Sequence, residues 1–396
     1  MRPRILFISN GHGEDQNGSR ILAALTRLYP HCEALALPLV GEGHAYQKLG
    51  VPLVATTRTL PSGGLIYTHP LNWLRDLGGG LAELTLRQIW ATWQIKEEID
   101  FCLAVGDLVP LLFARLTGRP FAAFLVSTSA YYEGYLELPA PTAVLLRSPL
   151  CQRIWTRDAY TARDLQRRGF SRADYAGYPI LDGLEPQGVA LGWDGAGGKI
   201  ALFPGSRVPE ALRNLAQLLA LALELQTSGN YHFRAALVSA ITETDLRALA
   251  KSQNWDYLGA GLLRRENCEV GCYWGAFNDI LGACDLALGM AGTAVEQAVG
   301  LGKPVVQIPG PGPQFTYAFA EAQMRLLGPS VTTVTAPDGI PRAARLVAQI
   351  LADEDYLAFC RLQGAERVGA PGGSAGLARA LYACLATGAG DGEGLK

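Results

Sequence analysis

The turn Pro204-Gly-Ser-Arg207 contains the residue types that bind phosphate groups. An apolar strand, Lys199 to Phe203, runs into this turn, and a helix rich in leucine and alanine follows it. Such a turn leaves backbone N–H groups free at the start of the helix, where an anion is favoured. Gly205 lets the anion approach the backbone, Ser206 offers a hydroxyl, and Arg207 adds a two-pronged cation. An ordinary capped turn with a surface arginine would use the same residues, so the motif needs support elsewhere in the chain.

A second glycine-rich turn lies between Asp285 and Gln297. The sequence again predicts a strand, a turn and a helix, with Gly292 and Thr293 at the turn. Glu296 lies one helical turn beyond Gly292, so its carboxylate can face the same crevice and accept bonds from two ribose hydroxyls. The alternative for Glu296 is an ordinary solvated helix residue.

A third turn follows the predicted strand in Gly302–Pro309. It spans Gly310 to Gln314 and consists of glycine, proline and one glutamine. Ligands of open parallel α/β sheets bind at the carboxyl ends of the strands. The sequence therefore predicts that the three turns converge on one anion-binding site.

Acid–base candidates lie in the first half of the chain. Asp107 ends a buried-type strand and opens a helix, so it is either an N-cap or a general base. His12 lies in a glycine-rich loop after the first strand, and the ordinary pKa of histidine suits proton transfer near neutrality. Asp15 follows three residues later and is the third catalytic candidate, with a cap for the next helix as the favoured alternative.

The run from Pro61 to Gln94 is unusually rich in apolar and aromatic residues, and arginines lie nearby. Exposed aromatic side chains flanked by arginine suit a membrane interface or an apolar acceptor, whereas a core helix after a loop is the simpler alternative. The residues predicted to contact an acceptor or membrane are Ile66, Leu71, Trp73, Trp90 and Trp93.

Composition excludes several classes of protein. The chain has 396 residues and a net charge of −2, so no basic excess indicates a nucleic-acid partner. Eight cysteines without a secretion signal indicate reduced thiols, and no histidine or second close cysteine pair completes a metal site around Cys268, Cys272 and Cys284. There is no uninterrupted apolar stretch of about eighteen residues.

Apolar strands alternate with amphipathic helices along most of the chain, which predicts parallel sheets covered on both faces. The predicted domains are residues 1–178, residues 179–370, and residues 371–396 as the end of a crossing helix with a disordered tail. The predicted strands are Arg4–Ser9, Glu33–Pro38, Val51–Ala55, Phe101–Val105, Phe121–Val126, Arg153–Thr156, Asp174–Ala176, Ile200–Phe203, Arg234–Val238, Leu286–Gly289, Pro304–Ile308 and Val331–Val334. The predicted helices are Asn17–Leu28, Leu81–Glu98, Val109–Leu116 and Ala159–Arg168, with a last helical stretch, Asp353–Ala386.

Several of these motifs resemble one known family. Pro204-Gly-Ser-Arg207, Gly292-Thr-Ala-Val-Glu296 and Gly302-Lys-Pro-Val-Val306 are similar to the nucleotide-sugar site of lipid-A-disaccharide synthase and, more broadly, of GT-B glycosyltransferases. The resemblance extends to Asn10-Gly-His-Gly-Glu-Asp15 and to Gly177-Tyr-Pro-Ile-Leu-Asp182. In the latter, a tyrosine replaces the histidine of the synthase. The chain therefore looks like a divergent subgroup of this family.

The resemblance implies a GT-B fold with two Rossmann-like domains facing a cleft and a C-terminal helix that crosses back to the first domain. It also implies transfer without a metal or other cofactor, and it matches Asp107 and Asp15 to aspartates of the synthase. The donor-binding residues that it implies are Gly205, Ser206, Arg207, Gly292, Thr293, Glu296, Gln297 and Gln314.

The function expected from the sequence is a glycosyltransferase that moves a GlcNAc-type sugar from a UDP-sugar to a lipid-like acceptor. We expect it in the cytoplasm, peripheral on the inner face of the cytoplasmic membrane. One alternative is an enzyme like UDP-GlcNAc 2-epimerase, although that family relies on a histidine in its phosphate turn, where Ser206 and Arg207 stand here. The other is a catalytically silent protein that binds a nucleotide sugar.

Overall fold

The computed structural model describes residues 2–41, 43–55, 81–193, 195–310, 312, 315–335 and 338–388. The chain divides into two compact units. Unit 1 combines Met1–Asp182 with Pro371–Lys396, and unit 2 is Gly183–Ala370. The predicted first boundary, after residue 178, lies four residues before this division.

Unit 1 is built on a six-stranded, all-parallel sheet with strand order β2-β1-β3-β4-β5-β6. Its central strands are short runs of apolar residues that are buried throughout, as expected for a parallel sheet covered on both faces. The strands are β1 Arg4–Ser9, β2 Glu33–Pro38, β3 Phe101–Val105, β4 Phe121–Leu125, β5 Cys151–Thr156 and β6 Ala173–Asp174.

The helices of unit 1 connect these strands and cover the sheet. The C-terminal helix packs against the first helix of the chain and so belongs to unit 1. The helices are α1 His12–Leu28, α2 His44–Gln47, α3 Leu81–Ile95, α4 Leu108–Leu116, α5 Ala140–Arg147, α6 Ala159–Arg167 and α14 Gly373–Gly388. Short 3-10 turns follow α3 at Lys96–Glu98 and precede the end of the unit at Pro179–Leu181.

Unit 2 contains an eight-stranded sheet with order β14-β13-β12-β7-β8-β11-β10-β9. Six strands are parallel, and β10 runs antiparallel to both of its neighbours. The strands are β7 Gly198–Phe203, β8 Tyr231–Leu237, β9 Asp256–Gly259, β10 Leu262–Arg265, β11 Cys268–Trp274, β12 Leu286–Gly289, β13 Val305–Gln307 and β14 Val331–Thr333.

The helices of unit 2 enclose a core centred on β7, β8 and the long helix α7. They are α7 Glu210–Gln226, α8 Glu243–Ser252, α9 Phe277–Ala283, α10 Thr293–Gly300, α11 Tyr317–Leu327, α12 Gly339–Ala352 and α13 Glu354–Arg367, with a 3-10 turn at Gly328–Ser330. None of the helices in the described part of the chain is long and apolar enough to cross a bilayer.

The structure corrects four sequence predictions. The first helix begins at His12 rather than Asn17, and Val51–Ala55 forms only an isolated bridge, between Leu53 and Ala36. Strands β9 and β10, the antiparallel extension of the second sheet, were not predicted. The last helical stretch is two helices, α13 and α14, which belong to different units.

Candidate functional site

The turns after β7 and β12 lie against each other in unit 2. These strands are neighbours, Phe203 is paired with Gly289, and the Met290 N–H donates to the Phe203 carbonyl at 2.8 Å. Gly205 has a φ of +99°, which disfavours any residue with a side chain. A Cβ there would also lie 3.1 Å from the Met290 carbonyl oxygen. Gly205 is therefore required both by its backbone conformation and by the closeness of the second turn.

Gly310, the first residue of the third turn, lies at the same place. It follows β13, which pairs with β12, and the Gly310 N–H donates to the Phe315 carbonyl at 3.0 Å. A Cβ on Gly310 would lie 2.9 Å from Oδ1 of Asn214 and 3.0 Å from Cε of Met290. The first two turns and Gly310, the first residue of the third, are thus brought together at the carboxyl edge of the second sheet.

Three of the predicted donor-binding side chains lie at the surface of these turns. Ser206, Arg207 and Thr293 are exposed, and no carboxylate in the described residues forms an ion pair with Arg207. Gly292 is the N-cap of α10, and Glu296 is half-buried one turn into that helix. Gln297 is buried, and Gln314 lies outside the described residues.

In unit 1, the first turn of α1, which follows β1, holds a buried carboxyl group. Oδ1 of Asp15 accepts a hydrogen bond from Oγ of Ser9 at 2.6 Å, and Ser9 also lies 3.0 Å from the hydroxyl of Tyr46. Burial raises the pKa of Asp15 to about 7, against the opposing effect of the Ser9 bond. The expected N-cap role for Asp15 is wrong, because α1 begins three residues earlier and Gly11 is its N-cap.

Asp107 lies at the N-cap position of α4, after β3, but its side chain makes no capping hydrogen bond. Within the described residues, its Oδ1 is buried with no hydrogen-bond donor. Burial raises the pKa of Asp107, and the nearby charge of Glu14 adds to the shift. A partly buried carboxyl group with a free oxygen and a raised pKa has the character of an acid–base group.

Glu14 is a candidate site residue that the sequence did not single out. Its Oε1 accepts a hydrogen bond from Oγ of Ser127, in the loop after β4, and its side chain lies against Gly106, next to Asp107. The available signal was an acidic residue in the first helical turn after a glycine-rich loop, where the helix dipole favours a carboxylate. Glu14, Asp15 and Asp107 together make a carboxylate-rich edge on the unit 1 sheet.

His12 is exposed, and the structure makes it the first residue of α1 rather than a loop residue. It therefore lies at the same end of the helix as Glu14 and Asp15. In the described part of the chain, no group of three or more histidine, cysteine, aspartate and glutamate side chains could hold a metal ion. All eight cysteine side chains are buried thiols.

An apolar face of α3 is exposed to solvent. Trp90 and Trp93 are 62% and 61% exposed, and Leu86 and Ile89 share their face of the helix at i, i+3, i+4 and i+7 spacing. The expected alternative of a core helix is therefore wrong for these two tryptophans. Ile66, Leu71 and Trp73 lie outside the described residues.

A scan against protein-family models and a search of curated proteins found no match. Solved structures, in contrast, match along the whole chain. UDP-GlcNAc 2-epimerase from Neisseria meningitidis, bound to UDP-GlcNAc, is 14% identical, with 97% of this chain and 100% of that chain covered and a TM-score of 0.59. MurG from Acinetobacter baumannii is 14% identical, with 96% and 99% covered and a TM-score of 0.58.

The chain has a GT-B fold. The spinosyn rhamnosyltransferase SpnG, in complex with spinosyn aglycone, is also similar in structure. It is 16% identical, with 96% of this chain and 100% of that chain covered and a TM-score of 0.58. Since both transferases and epimerases share this GT-B architecture, the likeness confirms the predicted fold class.

Proposed function

We propose that this GT-B protein transfers a sugar, of the GlcNAc type, from a UDP-sugar to a lipid-like acceptor. The observation that carries the proposal is the close contact between the turns at Gly205 and Met290, which sets two glycine-rich turns beside one exposed arginine. Two turns of this kind suit a diphosphate, whose charge is spread over two phosphoryl groups.

Arg207 would stabilise the leaving diphosphate. When the bond between sugar C1 and the diphosphate oxygen breaks, negative charge grows on that oxygen, and a guanidinium can meet it with two parallel N–H bonds. Glu296 would accept hydrogen bonds from the ribose hydroxyls from its position one helical turn beyond Gly292. No metal is needed for these roles.

Asp107 would act as the general base. The acceptor hydroxyl gives its proton to the Asp107 carboxylate, its oxygen bonds to sugar C1, and UDP leaves with the electron pair of the broken bond. A free buried oxygen on Asp107 supports this role, since no protein group competes for it in the described residues. His12 is the other candidate, because it lies at the same sheet edge and is exposed.

Epimerisation of a UDP-sugar is the second candidate. Inversion at a sugar carbon needs groups that remove and return a proton, and the carboxylates of Glu14, Asp15 and Asp107 supply such groups at one edge. Against it, Ser206 and Arg207 occupy the phosphate turn where the epimerase family relies on histidine.

The lipid-like acceptor is proposed from the exposed face of α3. Trp90 and Trp93 present large amphipathic rings to solvent, and tryptophan is favoured at the membrane interface. Nζ of Lys96 lies 4.8 Å from the ring centre of Trp93, so a cation accompanies this face. We propose that the protein works in the cytoplasm and lies on the inner face of the cytoplasmic membrane through this helix, much as a lipid-A-disaccharide synthase-like enzyme would have to.

One experiment separates these functions. Purified protein is incubated in D₂O with ¹³C-labelled UDP-GlcNAc, UDP-glucose or UDP-galactose, with and without a bacterial lipid extract. Label in the organic phase with release of UDP supports transfer, whereas deuterium on the sugar ring without UDP release supports epimerisation. Tight UDP binding with neither product supports a nucleotide-sugar-binding protein, and absence of UDP binding refutes the donor site.

A further inference from the structure

Two buried amide side chains bridge the turns of the unit 2 site. Asn214, on α7, is 2% exposed, and its Nδ2 donates to the carbonyls of Pro204 at 2.9 Å and Met290 at 3.4 Å. It therefore joins the turn after β7 to the turn after β12. Because a carbonyl oxygen can only accept, the NH₂ end of the amide has to face both contacts.

Gln323, on α11, makes the same kind of contact with the second turn. It is 6% exposed, and its Nε2 donates to the carbonyls of Gly292 at 2.8 Å and Ala291 at 3.2 Å. Asn214 and Gln323 thus hold four carbonyls towards the protein interior. These are the carbonyls of Pro204, Met290, Ala291 and Gly292.

The direction of these carbonyls fixes the direction of four N–H groups. A trans peptide unit is planar, and its C=O and N–H point to opposite sides. The four peptide bonds concerned are trans. When the four carbonyls are held inward, the N–H groups on the far side of the same peptide units point outward. These N–H groups belong to Gly205, Ala291, Gly292 and Thr293.

None of these four N–H groups has an acceptor within the described residues. Their positions are also close together, because Gly205 lies against Met290 and the other three are consecutive. A group of outward-facing N–H donors without acceptors is suited to an oxyanion.

We propose that Asn214 and Gln323 are positioning residues that preorganise this group of N–H donors, the amide nest, for the diphosphate of the donor. The inference rests on the proposed nucleotide-sugar site and assigns to it the part that recognises the diphosphate. The two amides act through the backbone and do not touch the ligand. Orienting the donors before binding avoids the cost of reorganisation when charge develops.

The test uses leucine variants, which keep approximate size but remove the donor. Asn214→Leu and Gln323→Leu are compared with Gln307→Leu as a matched control. Gln307, on β13 of the same unit, is likewise a buried amide, but its Nε2 donates to the Ala320 carbonyl and to Oγ1 of Thr333 rather than to the turns of the nest. Binding of UDP and of pyrophosphate is measured by calorimetry, and binding of uridine by ligand-observed NMR.

We expect Asn214→Leu and Gln323→Leu to weaken UDP and pyrophosphate by about tenfold or more, because misoriented N–H groups lose charge-assisted bonds. Uridine binding should be unchanged, and Gln307→Leu should leave all three ligands unaffected. A merely structural role would weaken uridine as much as UDP, and that result would overturn the proposal. So would unchanged UDP and pyrophosphate affinity in both nest variants.

The failure of the proposed function gives a different result. If the unaltered protein binds pyrophosphate but not UDP, the proposal of a nucleotide donor is wrong, whereas the proposal that the amide nest binds a diphosphate is supported. If it binds neither, both are wrong. If Asn214→Leu does not fold, Gln323→Leu decides alone, since it acts on the second turn without touching α7.

Discussion

Oγ of Ser9, the last residue of the first strand, donates a hydrogen bond at 2.6 Å to Oδ1 of Asp15 in the first helix. This bond favours the ionised carboxylate, yet burial prevails and raises the pKa of Asp15 to about 7. The unfolded chain would ionise near 3.8. The folded protein therefore holds a proton at Asp15 over a range in which the unfolded chain has lost it.

The first prediction concerns stability and pH. Since the pKa of Asp15 is raised on folding, its contribution to the free energy of unfolding is present in full below about pH 4 and is lost as pH rises to about 7. The whole loss is about 4 kcal/mol. Asp15→Asn removes this dependence. Between pH 5 and pH 8, urea unfolding should show the unaltered protein losing about 3 kcal/mol relative to the variant.

The matched control is Asp245→Asn. Hydrogen bonds from Thr242 lower the pKa of Asp245, so its carboxylate is ionised between pH 5 and pH 8 in both the folded and the unfolded state. The free energy of unfolding of Asp245→Asn should therefore depend on pH in the same way as that of the unaltered protein. A parallel pH dependence for Asp15→Asn and the unaltered protein would show that Asp15 titrates normally.

The second prediction concerns the donor. Arg207→Ala should weaken UDP binding by about 1.5–3 kcal/mol, the usual loss of a charge-assisted bond, measured by calorimetry. Arg213→Ala, which removes an exposed arginine from the same segment but beyond the turn, is the control and should bind UDP normally. A chelator should have no effect. Equal affinity in the two variants, or loss of binding with the chelator, would contradict this site.

The third prediction assigns the base. Asp107→Asn should keep the fold and UDP affinity but lower turnover by about 10²-fold or more, because the amide cannot accept the acceptor's proton. His12→Ala should lower turnover less. If His12→Ala abolishes turnover while Asp107→Asn retains it, the roles are reversed.

The fourth prediction uses Glu14 to test the pKa of Asp107. A base must be ionised, so turnover should fall as pH decreases through the raised pKa of Asp107. The charge of Glu14 contributes to that elevation, so Glu14→Gln lowers the pKa and should move the acidic limb of the kcat/KM profile to lower pH. A limb that does not move would mean that another group titrates there.

The fifth prediction concerns the membrane. Replacing Trp90 and Trp93 together by glutamine should reduce binding to anionic vesicles and turnover on a lipid acceptor, with UDP affinity unchanged. Leu362→Gln is the control, because Leu362 is 72% exposed on α13 of unit 2. Flotation with vesicles that does not distinguish these variants would point to an acceptor that is not membrane-bound.

The extent of sequence prediction differs between the elements of the sheets. Strands such as Arg4–Ser9 and Leu286–Gly289 were predicted with their bounds, since a fully buried parallel strand is a short apolar run between turns. The hairpin of β9 and β10 was missed. In Asp256–Gly259 only alternate residues are even partly buried. This segment is a strand because it pairs with β10, and its composition does not indicate one.

The candidate site divides in the same manner. The turns around Gly205 and Gly292 are local patterns, and the sequence displays them directly. Asn214 and Gln323 carry no such pattern, because amides on amphipathic helices are common. Their contacts join residues that are up to 76 positions apart. Glu14 is distinguished by its contacts with Ser127 and Gly106, which follow two other strands, β4 and β3, and its local sequence does not show these contacts.

The sequence by itself determined the alternation of strands and helices, the class of fold and the three glycine-rich turns, because these follow from periodicity and backbone freedom over a few neighbouring residues. Only the tertiary structure decided which carboxyl groups are buried, which carbonyls are held inward and which tryptophans face solvent. Those properties depend on desolvation and on hydrogen bonds between distant segments. Such contacts exist only when strand order brings the segments together.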